Sequence, residues 1–244
     1  PAELRDAERT ASKSQQADDG EFSRKIDSQD EDIGSRAVIR NARELVWYPS
    51  EVDTSIRTGW FYHPEEDTDV RTAGELLDIY LDAVGANASL LLNIPPDTHG
   101  RIAAPDCASL TELGTKIQQI FASNVTEKAA ITTDSAIAQH PITQAVDGMA
   151  NTYWQAAYGQ ESDTITLNFP KPQKVSCVVL GEHLPTGQRI ESGEIWADGS
   201  KASEFTVVGH KRICRFAPVE VQTLTIKITA SRTEPTLRVL EVYQ

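Results

Sequence analysis

The spacing of the apolar residues changes at about Asn124, and this change limits what the chain can fold into. Before it, apolar residues recur at steps of three and four, as on one face of an amphipathic helix. After it, they alternate with polar residues, which is the period of a strand with one buried face. A chain of 244 residues is long enough for two domains with a core each. We therefore predict two units, residues 1–122 and residues 123–244.

Helices and strands alternate in the first unit. The pattern from Ser35 predicts a helix that leads into a short strand, Glu44–Tyr48, and the almost wholly apolar run Ser89–Ile94 predicts a parallel strand covered on both faces. Two further amphipathic helices follow Thr72 and Pro105. This order is typical of an α/β domain with parallel strands. Only about two strands are visible, whereas a whole (β/α)8 barrel needs about 250 residues, so we predict a portion of such a domain.

Thr72 and Glu75 have the spacing of a capping box, in which each residue binds the backbone of the other at the start of a helix. The apolar stripe that follows them should end at Gly85, because glycine is a common helix stop. These local signals predict one helix over residues 73–84.

The second unit contains several short runs of alternating apolar residues. Glycine and proline separate them, as in Phe169-Pro-Lys-Pro172 and Ala197-Asp-Gly199, which predicts an antiparallel β-sandwich. The alternating sets are Ile165, Leu167 and Phe169; Val175, Cys177 and Val179; Phe205 and Val207; and Leu224, Ile226 and Ile228. The predicted fold class is thus α/β plus all-β.

Composition excludes some functions. The net charge of −13 argues against nucleic acid as a partner, because phosphate binding requires clustered lysine and arginine. No run of about 18 apolar residues exists, so no membrane-spanning helix is predicted. Cys177 and Cys214 fall in strand-like runs and could form a disulfide, but buried free thiols are the favoured interpretation.

Charged and aromatic residues are densest between Trp47 and His63, directly after the predicted strand Glu44–Tyr48. In α/β barrels, sites form where strands end at their carboxyl edge. Glu51 and Asp53 would share one face if a strand continued through them, and carboxylates accept hydrogen bonds from sugar hydroxyls. The alternative is an ion pair between Arg57 and a carboxylate among buried aromatic rings, with no ligand contact.

Three segments, in order, resemble the closing part of the catalytic domain of family 29 α-L-fucosidases. They are residues 47–63 (Trp-x-Pro-x-Glu-Val-Asp-x-Ser-Ile-Arg-x-Gly-Trp-Phe-Tyr-His), residues 75–80 (Glu-Leu-Leu-Asp-Ile-Tyr) and residues 90–100 (Leu-Leu-Leu-Asn-Ile-Pro-Pro-Asp-x-x-Gly). The resemblance is greatest to the subgroup that prefers α-1,3/1,4-linked fucose. Thr58 stands where the family pattern has proline. The resemblance implies that residues 1–122 are the C-terminal portion of a catalytic (β/α)8 barrel.

The same resemblance implies a retaining exo-α-L-fucosidase, with an aspartate nucleophile and a glutamate acid/base that are expected upstream of this chain. Glu51 is a minority candidate for the acid/base. The implied substrate-binding residues are Trp60, whose ring would contact fucose, then Glu51, Asp53 and Arg57, and more weakly His63. A fucosylated oligosaccharide and the remainder of the barrel are the expected partners, a periplasmic or extracellular location is expected, and no cofactor is required for catalysis.

The second unit resembles a discoidin-type, galactose-binding-like β-sandwich. The resemblance lies in residues 145–154 (Ala-Val-Asp-Gly-Met-Ala-Asn-Thr-Tyr-Trp), with shorter matches at 165–169, 187–190, 209–213 and 241–243. It implies a structural Ca²⁺ site at Asp147, since a loop cation is common among such domains. For Tyr153 and Trp154, core packing is favoured over ligand contact. The alternative function is a carbohydrate-binding or purely structural module without catalysis of its own.

Overall fold

The computed structural model describes residues 34–40 and 49–244. In this part of the chain, ten strands and three α-helices give a mostly β fold. The helices are α1 (Arg36–Ile39), α2 (Ala73–Val84) and α3 (Ala104–Ile120). The strands are β1 (Glu51–Ser55), β2 (Ser89–Asn93), β3 (Ala130–Thr133), β4 (Trp154–Gln155), β5 (Asp163–Gly181), β6 (Ile190–Ala197), β7 (Ser200–Phe205), β8 (Arg212–Ser231), β9 (Thr236–Leu237) and β10 (Val239–Tyr243). The predicted strand Glu44–Tyr48 lies outside the described residues, and none of the described helices could cross a membrane.

Helix α2 begins as the sequence predicts. The Thr72 side chain accepts the Glu75 N–H at 3.3 Å, and the Glu75 carboxylate accepts the Thr72 N–H at 2.8 Å, which confirms the capping box. The helix ends before Gly85, as predicted, but Gly85 has φ −74° and not a left-handed conformation. A side chain there would collide with the Leu81 carbonyl and press on Ile213. Glycine is therefore needed for close packing.

Strands β1 and β2 form a parallel pair with Asp53 beside Leu91 and Ser55 beside Asn93. One face of the pair packs on helices α2 and α3 through a cluster that includes Ile56, Leu76 and Leu113. The opposite face is open among the described residues, and Leu91 is 51% exposed there. The expectation that β2 is covered on both faces is thus met on one face only. A strand with this apolar composition normally has a second cover.

The other strands build one antiparallel sheet and one short pair. The sheet has the order β10-β5-β8-β6-β7, and β3 also pairs with β5. Strands β4 and β9 form the separate pair. The predicted turn at Ala197-Asp-Gly199 joins β6 to β7, with φ of 45° at Asp198 and 82° at Gly199. Positive φ at both central residues suits the twist of a tight hairpin.

Strand β5 joins two runs that the sequence analysis treats as separate. The segment Phe169-Pro-Lys-Pro172 interrupts pairing with β8 without ending the strand, and pairing resumes at Gln173. A second register shift lies between Val175 and Cys177. Because a bulge changes which face a side chain occupies, Val178 and Leu180 join the main core while Cys177 and Val179 face a second cluster. The predicted set Val175, Cys177 and Val179 therefore does not share one face.

The second cluster lies where the end of α3 meets the antiparallel sheet. Ile120 and Phe121 pack there against Cys177, Val179 and Tyr243, with the Phe121 and Tyr243 rings edge to face at 5.2 Å. The main core is formed mainly by buried side chains of the antiparallel sheet. It is separate from the cluster under β1 and β2. The domain division after residue 122 stays a prediction.

Cys177 and Cys214 are buried free thiols, as the favoured interpretation has it. They lie on neighbouring strands but belong to different apolar clusters, so they do not face each other. Burial raises the pKa of the Cys177 thiol to about 11, which keeps it protonated and unreactive at neutral pH.

Candidate functional site

The segment after β1 forms a loop at the carboxyl end of the parallel pair. We call residues 56–63 the aromatic loop, because it contains Trp60, Phe61 and Tyr62. Parallel strands end at the same edge of a sheet, and sites in α/β folds form at that edge. The aromatic loop occupies this position.

Side chains from both strand ends fix the backbone of the aromatic loop. Ser55 Oγ donates to the Gly59 carbonyl at 2.8 Å. Asn93 Nδ2 donates to Ser55 Oγ at 3.1 Å and to the Trp60 carbonyl at 3.0 Å. The Ile56 N–H also donates to the Asn93 carbonyl. These bonds hold the loop against the end of β2.

Arg57 is the centre of a buried charge cluster beneath the loop, with no exposed surface. Its Nε donates to Asp106 Oδ2 at 3.1 Å, and its Nη2 donates to Asp67 Oδ1 at 2.8 Å. Asp106 Oδ1 lies 3.0 Å from Nη2 as an ion-pair contact. Nη1 donates to the His63 carbonyl at 3.3 Å, and the guanidinium lies 4.7 Å from the centre of the Tyr62 ring. All three guanidinium nitrogens are thus engaged.

The sequence left two interpretations of Arg57, a pocket residue or an ion pair. The structure has the ion pair, and the guanidinium has no surface left in the described residues with which to contact a ligand. Burial lowers the pKa of Arg57, but the hydrogen bonds with Asp106 and Asp67 outweigh it, so the net shift is upward. Arg57 is therefore a permanent buried cation.

Trp60 and Phe61 turn their rings outward from this fixed loop. Trp60 is 50% exposed and Phe61 is 76% exposed. Large aromatic rings are seldom left in water unless they meet a ligand or another surface. Trp60 is the ring that the sequence motif predicts to contact the sugar, and Phe61 is the next residue of the same motif.

Glu51 and Asp53 lie in β1, which continues through both positions. Their side chains share the face that carries Leu91, and both are exposed. The expected shared orientation is therefore present. Whether they bind a ligand stays a prediction.

His63 ends the aromatic loop with an exposed side chain. Its carbonyl accepts the Arg57 Nη1 donor and the Glu66 N–H, so the backbone of His63 organises the turn that follows. Among residues 34–40 and 49–244, no hydrogen bond of its ring places it in the site, and its weaker assignment as a substrate-binding residue stays a prediction.

Asp106 is the residue of this site that sequence reasoning missed. It lies in the first turn of α3, one residue after Pro105, where an acidic residue is ordinary on a helix surface. The structure instead buries it completely beside Arg57, 49 positions away in the chain. Local sequence carries no signal of such a long-range pair.

Asp147, the predicted calcium ligand, organises its own loop. Its Oδ1 accepts the Met149 N–H at 2.8 Å, and both of its oxygens lie within 2.9 Å of the Thr152 hydroxyl. Among the described residues, no group of three or more His, Cys, Asp or Glu is placed to hold a metal ion. This donor set fits a loop-stabilising role better than a cation site, and the ion stays a prediction.

The two aromatic residues that end the same motif differ. Trp154 is fully buried and its Nε1 donates to the Ser135 carbonyl at 3.1 Å, which confirms core packing. Tyr153 is half-buried between the rings of His140 and His183, each stacked at 3.9 Å. Both faces of the Tyr153 ring are therefore covered.

Glu182 is a second buried acid that the sequence analysis did not identify. Its carboxylate accepts the backbone N–H groups of Arg189, Ile190 and Gly209 at 2.6, 2.9 and 2.7 Å. Burial raises the pKa of Glu182 to about 7, although these three donors act to lower it. The carboxylate ties the end of β5 to the loops before β6 and β8.

Comparison with known proteins gives one family. Residues 9–119 match the family model described as alpha-L-fucosidase. Alpha-L-fucosidase 1 of Arabidopsis thaliana is 31% identical over 208 residues, which are 81% of this chain and 41% of that protein.

Solved structures of fucosidases are also similar to this chain. A GH29 fucosidase from Ruminococcus gnavus, solved in complex with fucose, superposes with a TM-score of 0.75 at 28% identity, over 81% of this chain and 41% of that one. The crystal structure of SpGH29 gives a TM-score of 0.75 at 30% identity, over 80% of this chain and 44% of that one. This chain thus spans about two fifths of the length of its curated relative.

Proposed function

We propose that this chain is part of a retaining exo-α-L-fucosidase, because residues 9–119 match the alpha-L-fucosidase family model. Such an enzyme hydrolyses terminal L-fucose from glycans. The observation that carries the proposal is the fixed aromatic loop, which presents Trp60 at the carboxyl end of two parallel strands. A site at this edge is what a (β/α)8 barrel uses for catalysis.

We assign Trp60 to the apolar side of fucose, near its C5-methyl group. An aromatic ring can cover apolar sugar C–H groups, while carboxylates accept hydrogen bonds from the hydroxyls. We assign the second task to Glu51 and Asp53, which are exposed on the same face of β1, four and two positions before Ser55 at its carboxyl end. His63 is a weaker candidate at the rim.

Glu51 and Asp53 are poorly placed to be the reacting pair. A retaining glycosidase needs two carboxyl groups about 5 Å apart that flank the glycosidic bond, one to attack the anomeric carbon and one to protonate the leaving oxygen. Two residues at alternate positions of one strand point the same way, and would approach the sugar from the same side. The nucleophile and acid/base are therefore proposed to come from other strands of the barrel.

The proposed barrel also accounts for the open face of β1 and β2. Leu91 lies there half in solvent, beside strands whose other face is packed on helices. We propose that the remainder of the catalytic barrel covers this face. A glycan substrate suits a periplasmic or extracellular location, which we propose on the same grounds.

The direct test is hydrolysis of two fucosylated trisaccharides, one α-1,3/1,4-linked and one α-1,2-linked. A polypeptide that joins this chain to the other barrel strands should release fucose from the first and far less from the second. The 244-residue chain alone should release none. Fucose release by the chain alone would show that the reacting pair lies within it. Equal rates on both substrates would overturn the linkage preference.

The second candidate function concerns the antiparallel sheet, as a carbohydrate-binding or structural module. The structural role is favoured by its junction with α3, where Phe121 and Tyr243 pack edge to face. Glycan-array binding by residues 123–244, compared with the whole chain, separates the two roles. Binding by the isolated module would support capture of glycan, and its absence would support bracing.

A further inference from the structure

We propose that Arg57, held by Asp106 and Asp67, is a positioning residue that determines where the Trp60 ring lies. The inference rests on the proposed function, because it concerns the same sugar site. It also changes the role of Arg57, from a residue that touches substrate to one that acts through its neighbour.

The contacts of Arg57 close the aromatic loop on itself. The side chain leaves the backbone at position 57 and returns to the His63 carbonyl, with the Tyr62 ring beside the guanidinium. Trp60 lies midway between these two points. Because Asn93 also holds the Trp60 carbonyl, the backbone of Trp60 is restrained from two directions.

The two carboxylates attach this closed loop to separate elements. Asp106 belongs to α3 and has no exposed side-chain surface, whereas the side chain of Asp67 is 39% exposed. Removing the charge of Asp106 would leave a buried cation without its buried partner, which is more costly than the same change at a partly solvated site. Asp106 should therefore matter more than Asp67 for the position of the loop.

The directions of the hydrogen bonds of Arg57, and not its charge alone, hold the aromatic loop in place. Arginine offers a planar fork with several fixed donors, whereas lysine offers one ammonium on a flexible stem. A lysine at position 57 could keep one ion pair but could not bind Asp106, Asp67 and the His63 carbonyl together. Arg57→Lys should therefore preserve the charge and lose the closure of the loop.

Fluorine NMR of the fluorotryptophan-labelled chain tests this directly. The chain has four tryptophans, and Trp60→Phe assigns the Trp60 resonance. We expect Arg57→Lys and Asp106→Asn to move or broaden the Trp60 signal, and Asp67→Asn to do so less. The signals of Trp154 and Trp196 should not move. Arg101→Lys, at an exposed arginine that contacts Asp97, is the matched control and should leave the Trp60 signal in place.

An unchanged Trp60 signal in folded Arg57→Lys and Asp67→Asn would overturn the proposal. Equal movement of the Trp60, Trp154 and Trp196 signals would also overturn it, because it would indicate a general structural role. If Asp106→Asn does not fold, the other two variants still decide the question, since Asp67 is partly exposed.

Titration with free L-fucose separates this proposal from the proposed function. Fucose should move the Trp60 signal of the unaltered chain, and Arg57→Lys should bind it roughly tenfold more weakly, because a displaced ring keeps only part of its contact with the sugar. If fucose leaves the Trp60 signal unchanged while Arg57→Lys moves it, the positioning role stands and the sugar contact fails. If Arg57→Lys binds fucose as the unaltered chain does, the positioning role fails alone.

Discussion

Arg57 and Trp60 lie three positions apart in one loop, yet only Trp60 reaches the surface. A charged residue close to aromatic residues in sequence is equally compatible with a pocket and with a buried ion pair. Which of the two forms depends on Asp106, which belongs to a helix far along the chain. At the scale of single residues, the sequence could therefore name the site but could not divide its members between ligand contact and support.

Trp60→Ala should weaken fucoside binding with little effect on folding. Burying a large apolar ring contributes about 1.5–3 kcal/mol, so KM should rise roughly tenfold to 100-fold. Stability should change by less than about 0.5 kcal/mol, because half of the ring is already in solvent. The measurements are KM for a fucoside, in a polypeptide that includes the other barrel strands, and the urea midpoint of the 244-residue chain. Ile102→Ala, at a similarly exposed apolar side chain, should change neither, and an unchanged KM in Trp60→Ala would remove Trp60 from the site.

Glu182 should make stability fall as the pH rises from about 4.5 to about 7. Its pKa in the folded protein is raised to about 7 from the ordinary value near 4.5, so the folded state binds the proton more tightly than the unfolded state does. The stabilisation is fully present below about pH 4.5 and is lost by about pH 7, with a size of a few kcal/mol at most.

The measurement is the free energy of unfolding from pH 4.5 to 8, for the unaltered chain and for Glu182→Gln. The difference between the two should decrease with pH across this range, because glutamine does not titrate. Glu161→Gln, at an exposed acid, serves as the control. A pH-independent difference would contradict the buried titration.

The elements whose ends carry capping or turn residues were predicted correctly from the sequence. Helix α2 carries its own capping box, and α3 has Pro105 in its first turn, so both begin where expected. The turn at Asp198-Gly199 was likewise predictable from residues that tolerate positive φ. The face of the sheet that each β5 side chain occupies was not predictable, because a register shift depends on the partner strand and not on the residues of β5 alone.

Gly209→Ala should destabilise the contact between the α2–β2 turn and the loop before β8. Gly209 has φ +59°, and an added Cβ would collide with the side-chain amide of Asn87. Asn87 Oδ1 also accepts the His210 N–H. Left-handed strain costs about 1–2 kcal/mol, and the collision adds to it.

Gly148→Ala is the matched control for Gly209→Ala, since Gly148 has φ +71° and open space around the new Cβ. It should show the cost of the backbone conformation alone. Denaturant unfolding of both variants gives the comparison. Equal losses would mean that the contact with Asn87 contributes nothing measurable.

On the scale of the whole molecule, the main core of the antiparallel sheet and the cluster under β1 and β2 differ in how completely they are enclosed. The main core of the antiparallel sheet contains many fully buried side chains, whereas among the described residues β1 and β2 have helices on one face only. The sequence could indicate this asymmetry, because a strand as apolar as β2 normally has both faces covered. The sequence could not indicate which residues near the boundary of the two units pair with each other. Asn124, for example, pairs with Tyr243, and this contact spans most of the second unit.

Leu91→Ala tests whether another part of the protein covers the open face. In the 244-residue chain the change should cost less than about 0.5 kcal/mol, since Leu91 is half exposed. In a polypeptide that includes the remaining barrel strands, the same change should cost about 2–5 kcal/mol, as for a buried leucine. Unfolding curves of both lengths give the answer. Equal small losses would mean that the face stays open.

The register shift between Val175 and Cys177 sets how much change β5 tolerates in length. The residues after it fill two separate interiors, one inside the sheet and one against the end of α3. Deletion of Val178, within the regular stretch after the shift, would exchange those assignments up to Gly181, sending Val179 toward the sheet interior and Leu180 toward the helix. We therefore expect insertions and deletions to accumulate in the loops around β5, and this stretch to keep a constant length while its side chains vary.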